Sequence, residues 1–165
     1  RRRLEPAGRL DQKPTPMKLT DHFILAEFTT SQEAARRGID NDPPPEVIEN
    51  LYLLAMALED VRERLGAPIV ISSGYRSPAL NEAVGGAANS AHVLGFAADI
   101  TCPGFGRPLS VCRAIASMPN LRYDQIIHEY GTPAGGGWCH LSIDPRGRMQ
   151  TLTINRNGTR KGLQP

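Results

Sequence analysis

VIENLYLLAMALEDVRERLGAPIVI, residues 47–71, changes its apolar period part-way along. Val47, Leu51, Leu54, Leu58, Val61 and Leu65 recur at steps of 4, 3, 4, 3 and 4, the spacing that lines one face of an α-helix. Glu49, Glu59, Arg62 and Glu63 fall off that stripe, so the helix buries one side and wets the other. Gly66 follows the last apolar position and supplies a left-handed C-terminal cap. Beyond it, Ile69, Val70 and Ile71 form a β-branched run too short for a helix and suited to a buried strand. A long amphipathic helix delivering the chain into a sheet is the nucleus of an α+β fold.

Working outward, Asp42 and the prolines at 43, 44 and 45 make an extended entry to this helix. Before them, residues 20–37 suit one or two short helices, with Phe23, Leu25 and Phe28 turned inward and Gly38 as the stop. Residues 1–18, with Pro6, Pro14, Pro16 and scattered charge, read as an irregular basic arm. On the other side, Ser72 to Pro78 is a polar turn feeding a short helix through Asn81 to Val84. Gly85 to Ser90 is a loop, and Phe96 to Thr101 a strand. A helix is expected after Pro108, with Leu109, Cys112, Ile115 and Ala116 inward and Pro119 as its break. Three strands follow, Tyr123 to Tyr130, Trp138 to Ile143 and Met149 to Ile154, separated by turn-rich segments and expected to form antiparallel hairpins. The expectation is a small antiparallel sheet packed by helices, one domain over residues 19–154, and a basic tail over 155–165. No internal repeat is visible.

The length of 165 residues suits one domain, and 40% hydrophobic with 22% charged residues lies in the globular range. The longest apolar run, Leu51 to Leu58, has eight residues, against the roughly 20 that a membrane-spanning helix needs. A net charge of +2 does not argue for nucleic acid as a partner. The charge is unevenly placed: residues 1–13 carry five basic and two acidic groups, residues 144–165 five and one, and the middle is acidic. Solvated ends account for this pattern, and attraction to a polyanion such as a cell envelope is the sharper reading. Cys102, Cys112 and Cys139 cannot all pair within one chain and form no metal or redox pattern, which favours a reduced origin while leaving one disulfide open.

The chemistry concentrates in two segments. In Ser90-Ala91-His92-Val93-Leu94-Gly95-Phe96-Ala97-Ala98-Asp99, a loop histidine and a strand carboxylate are separated by small residues and can turn toward one point. In Trp138-Cys139-His140-Leu141-Ser142-Ile143, strand alternation puts Trp138, His140 and Ser142 on one face and the apolar Cys139, Leu141 and Ile143 on the other. Two imidazoles and one carboxylate are a three-ligand set that leaves an open position on zinc, as catalytic sites do. A buried salt link within a capped loop would use the same His and Asp without any metal.

With Ile71-Ser72-Ser73-Gly74-Tyr75-Arg76-Ser77-Pro78 ahead of them, these segments resemble the zinc D-Ala-D-Ala carboxypeptidase family of metallopeptidases, including its small phage-type endolysins. The match runs from about Leu19 to Ile154 in the order S-G-Y-R-S-P, S-x-H-x-x-G-x-A-x-D, an acidic residue, W-x-H. The resemblance implies a hedgehog/DD-peptidase fold, one Zn2+ per chain on His92, Asp99 and His140, and hydrolysis of peptide bonds in peptidoglycan stem peptides by metal-activated water. Many members of that family place an acidic residue three positions before the last histidine; here Gly137 stands there. The base is then sought in Tyr123 to Tyr130, where similar chains show a glutamate at the strand's end. Glu129 shares a strand face with Gln125 and Ile127, while Asp124, His128 and Tyr130 share the other. Glu129 is favoured as general base, with Asp124 as the alternative and His128 either surface-exposed or a secondary polar contact.

Arg76 is expected to stabilise the oxyanion or grip a substrate carboxylate, against the plainer role of a loop-ordering salt bridge. Ser90 orients the loop or the substrate, Gln125 and Trp138 are candidate substrate contacts, Trp138 equally suits capping the sheet, and Cys139 is a small core residue. The Asn157-Gly158-Thr159 sequon carries little weight beside bacterial-wall chemistry. Two other classes of function stay open: an inactive wall-binding module that has lost its base, and an interaction part of a larger assembly such as a phage particle. Whether Glu129 reaches the metal separates the first reading from both. A monomer with no nucleic-acid partner is expected. Arg1-Arg2-Arg3 leads into Leu4-Glu5-Pro6 without the apolar stretch of a secretory signal, so the expected place of action, the cell wall or periplasm, would be reached by lysis or a non-Sec route.

Overall fold

The computed structural model describes residues 15–165. Most of the arm expected over residues 1–18 therefore lies outside the described residues. Two short helices, α1 (Leu25–Thr29) and α2 (Gln32–Arg37), lead into α3 (Pro45–Leu65). Proline at the first helical position of α3 loses no bond, since that N–H has no partner within a helix. Every residue of the 47–65 stripe is buried, joined by Ala55. The helix ends at Gly66, in left-handed conformation at φ 65°. Phe23 and Phe28 meet edge-on, with ring centroids 6.0 Å apart, and close the core beside α3.

The remaining elements are β1 (Val70–Ser73), α4 (Pro78–Ala83), β2 (Ala97–Thr101), α5 (Pro108–Ala116), β3 (Gln125–Glu129), β4 (Trp138–Ser142), β5 (Gln150–Asn155) and β6 (Gly158–Lys161). The buried face of α5 is Pro108, Val111, Cys112 and Ile115. That is an i, i+3, i+4, i+7 set, and it rotates the helix so that the expected Leu109 and Ala116 fall at its half-buried margins.

The strands form one six-stranded sheet in the order β1-β2-β4-β3-β5-β6. It is mixed, which corrects the antiparallel expectation: β5 runs parallel to β3, and the other neighbours are antiparallel. The turn after β4 does not close a hairpin, because both edges of β4 are already occupied by β2 and β3. The chain instead steps across the start of β3 and lays β5 on its outer edge. Asp124 anchors that crossing. Its carboxylate accepts from the backbone N–H of Arg148 at 3.0 Å and from that guanidinium at 2.8 and 2.6 Å. The sheet also continues past Ile154 into β6, all of whose residues are exposed.

Ala98, Ile100, Ile126, Cys139 and Leu141 pack beneath the helices in the core. Cys102, Cys112 and Cys139 are all buried and unpaired. The opposite face of β2, β4 and β3 carries Asp99, His140, Gln125, Ile127 and Glu129. No described helix is long and apolar enough to cross a membrane.

Candidate active site

Antiparallel registry sets Asp99 opposite His140, and His140 opposite Ile127. Directly paired residues share a face, so this row carries a carboxylate and an imidazole side by side on the open side of the sheet. His92 reaches the same point from the turn before β2. Its backbone N–H donates to Ser90 Oγ at 3.3 Å, and the turn is pinned to α3 by Asn50, whose amide donates to the Leu94 carbonyl at 2.8 Å. Gly95 makes that approach possible: at φ +76°, a Cβ there would sit 2.8 Å from Val47 Cγ1 and 2.9 Å from its carbonyl oxygen.

The three side chains are buried at 3%, 5% and 8% exposure for His92, Asp99 and His140. Their donor atoms form a nearly equilateral triangle. His92 Nε2 lies 3.2 Å from His140 Nδ1, His140 Nδ1 lies 3.0 Å from Asp99 Oδ1, and His92 Nε2 lies 3.3 Å from Asp99 Oδ1. Tetrahedral bonds of about 2.0–2.1 Å to one ion place donor atoms about 3.3–3.4 Å apart, so the triangle has the size of a single metal's coordination face. The tautomer fits as well. His92 Nδ1 is 2.6 Å from the Gly74 carbonyl; a carbonyl only accepts, so Nδ1 carries the proton and Nε2 keeps its lone pair toward the triangle. The cluster could hold a metal ion.

Arg76 sits behind Asp99. Its Nη2 donates to Asp99 Oδ2 at 2.9 Å and its Nε to Ser73 Oγ at 3.1 Å. The guanidinium thus orients the carboxylate, the salt-bridge role set beside a substrate role from the sequence, while still lining the cleft. Burial alone pushes the Asp99 carboxyl up, yet His92 and His140 outweigh it by charge and hydrogen bonding and hold it well below the usual carboxylate range. Burial likewise pushes His92 toward its neutral form, the form that ligates metals.

A cleft of about 380 Å³ opens over the triangle. Glu129, one cross-strand row from His140, lines it, with Gln125, Ile127, Ser90, Tyr130 and Arg76. Burial, reinforced by the nearby Asp99 charge, raises the Glu129 pKa above its ordinary value. Asp124 lies elsewhere. It is fully buried, held by Arg148, which keeps its carboxyl below the usual range, and it does not line the cleft. His128, surface-exposed on one reading of the sequence, is instead buried with its Nδ1 3.1 Å from the Gln164 carbonyl, and it does not line the cleft.

Gly137 has φ +88°, and a Cβ there would collide with the Glu129 carbonyl oxygen. No side chain fits at that position, and the cleft's free carboxylate comes from β3 instead. Trp138 does not line the cleft; it packs on Tyr130, with rings 5.4 Å apart and tilted by 39°. Gln125 donates to Gln150 Oε1 at 2.6 Å.

The profile of the Peptidase M15 family matches residues 21–141. The chain belongs to that family. M15 peptidases are metal-dependent hydrolases, and the metal-capable triangle of this M15 chain lies within the matched span. A comparison with curated proteins found no match.

Tyr130, expected on the strand face away from Glu129, instead lines the cleft of the M15 chain with it, and so do Arg146 and Arg148, which had no role in the site on sequence grounds. The basic excess after residue 143 was visible but read as a solvated tail. Tyr130 owes its place to a left-handed backbone, φ 49°, which sequence alone does not signal. A larger groove of about 850 Å³ runs along β1 and meets the cleft at Arg76, but holds none of the triangle's residues.

Proposed function

We propose that this chain is a zinc peptidase that cleaves peptide bonds in peptidoglycan stem peptides, as a DD-carboxypeptidase or an L-Ala-D-Glu type endopeptidase, at the bacterial wall. The observation that carries the reading is the juxtaposition of the His92, Asp99 and His140 donor triangle with Glu129 in one cleft. Membership of the M15 family supports the hydrolase class.

His92, Asp99 and His140 would hold the ion, and Arg76, Ser73 and the Gly74 carbonyl hold those ligands in orientation. When bound, zinc supplies Lewis acidity, lowering the pKa of a water and polarising the scissile carbonyl. Glu129 takes the proton of the attacking water and returns it to the leaving amine. Burial raises its pKa above the ordinary value, which favours holding the proton between the two transfers. Arg76 adds positive charge at the cleft floor, where an oxyanion would develop.

The deciding experiment digests purified muropeptides with the metal-loaded chain, with and without chelator, and reads the products by mass spectrometry. Cleavage that chelator stops and zinc restores supports the proposal, and the product masses name the bond. Intact muropeptides with fully loaded protein would refute it.

A further inference from the structure

We infer that Arg146 and Arg148 form a carboxylate-recognition subsite at the end of the cleft opposite Glu129. The inference rests on the peptidase reading and goes beyond it to substrate selection.

Both arginines lie on the crossing between β4 and β5 and line the cleft. Each is clamped from behind by a buried carboxylate. Arg146 donates through Nε and Nη2 to Asp144 at 2.9 and 3.0 Å, and Arg148 through the same two atoms to Asp124 at 2.8 and 2.6 Å. Asp124 joins the two, since Arg146 Nη2 also lies 3.9 Å from it. The side chains are 37% and 40% exposed, while Asp144 and Asp124 are 6% and 0% exposed. Among the described residues, Nη1 of both arginines has no hydrogen-bond partner. Two guanidinium groups are thus fixed side by side, each with an uncommitted pair of N–H donors, in the planar geometry that suits a carboxylate.

Placement agrees with that reading. Ser142 and Gln125 are paired one row from His140 on the arginine side, and Trp138 and Glu129 one row on the other. Two residues along a strand span about 7 Å, so the metal row divides the base from the arginine pair. Asp124 and Asp144 lie buried beneath the arginines they pair with, so the groups that the cleft presents at this end are the outer edges of the two guanidiniums. A stem peptide with its scissile carbonyl over the metal row would present to the arginines a carboxylate of the residue that follows the scissile bond. Two groups have that chemistry: the free C-terminal carboxylate and the free carboxylate of a D-Glu residue.

The test uses synthetic stem pentapeptides that differ at one carboxyl at a time, D-Glu free or amidated and the C-terminus free or amidated. Cleavage by the zinc-loaded full chain gives kcat/KM, and calorimetry on the zinc-loaded Glu129→Gln chain gives Kd without turnover. Amidation of the recognised carboxyl is expected to weaken both by roughly 10- to 100-fold. Sensitivity at the C-terminus would identify a carboxypeptidase, and sensitivity at D-Glu an endopeptidase. In Arg146→Gln/Arg148→Gln the ratio between free and amidated peptide should collapse to near one. Because those changes strand buried aspartates, Asp144→Asn/Arg146→Gln and Asp124→Asn/Arg148→Gln, which remove each pair together, give the same reading in a chain with matched partners. No preference at either carboxyl, or a preference that survives these variants, overturns the inference. Cleavage without preference would leave the peptidase reading standing, whereas preferential binding without cleavage would keep the subsite and overturn the peptidase reading.

Discussion

Replacing Glu129 with glutamine keeps the side chain's size and hydrogen-bonding capacity and removes its basicity. The structure bounds the loss from below, because no other described carboxylate can take the role. Asp99 is committed to the triangle and to Arg76, and Asp124 is buried under Arg148 outside the cleft. General-base contributions run from roughly 100- to 10,000-fold, or about 2.7–5.5 kcal/mol of barrier. Glu129→Gln should therefore lower kcat/KM on muropeptides by about 100-fold or more, with zinc content unchanged, and abolish the acid limb of the pH profile. Stability should move the other way. A folded-state pKa raised by burial means that the protonated form is favoured by folding, so this group's stabilising contribution is present below its unfolded pKa and lost as pH rises through the folded value. At neutral pH the ionised side chain is a burden, and metal-free Glu129→Gln should melt at or above the wild-type temperature, with the difference vanishing in acid. Kinetic assay and thermal denaturation of the same preparation check both halves. Wild-type turnover in Glu129→Gln would refute the acid–base scheme, and a lower melting point at pH 7 would refute the burial argument.

Other substitutions separate the remaining roles. His92→Ala should lose stoichiometric zinc in metal analysis, since one corner of the 3.0–3.3 Å triangle disappears; full occupancy at wild-type affinity would exclude it as a ligand. Arg76→Ala should weaken zinc binding by about 10- to 100-fold in a competition titration, because Asp99 loses the partner that orients it, and unchanged affinity would return Arg76 to a role on substrate alone. Asp124→Asn should leave zinc content intact and act on substrate binding through Arg148 rather than on the chemical step, while reducing stability by about 1.5–3 kcal/mol, the worth of a hydrogen bond to a charged group, as read by denaturant unfolding. Its carboxyl is held below the usual range by Arg148, so that stability is present above the unfolded pKa and fades as pH falls through the folded one.

Much of the fold was legible because its signals are local. The α3 stripe, the caps at Gly38 and Gly66 and the apolar side of β4 follow from the periods of helix and strand, which neighbouring residues set among themselves. The triangle was legible for the same reason: alternation turned His140 away from the core, and motif spacing brought His92 and Asp99 into range. The face of Glu129 followed from its parity with Gln125 and Ile127. What tertiary structure alone decided concerns groups that meet over long sequence separations. Strand order is one case: the turn after Ser142 looks like a hairpin turn, yet β5 lies on β3 because both edges of β4 are taken. Arg76 is another, since only the sheet brings its guanidinium onto Asp99, 23 residues away. Arg146 and Arg148 looked like tail charges until the crossing carried them over buried aspartates and into the cleft. Local periodicity determines which side of an element a residue faces; which other element it then meets depends on a global packing that no single segment encodes.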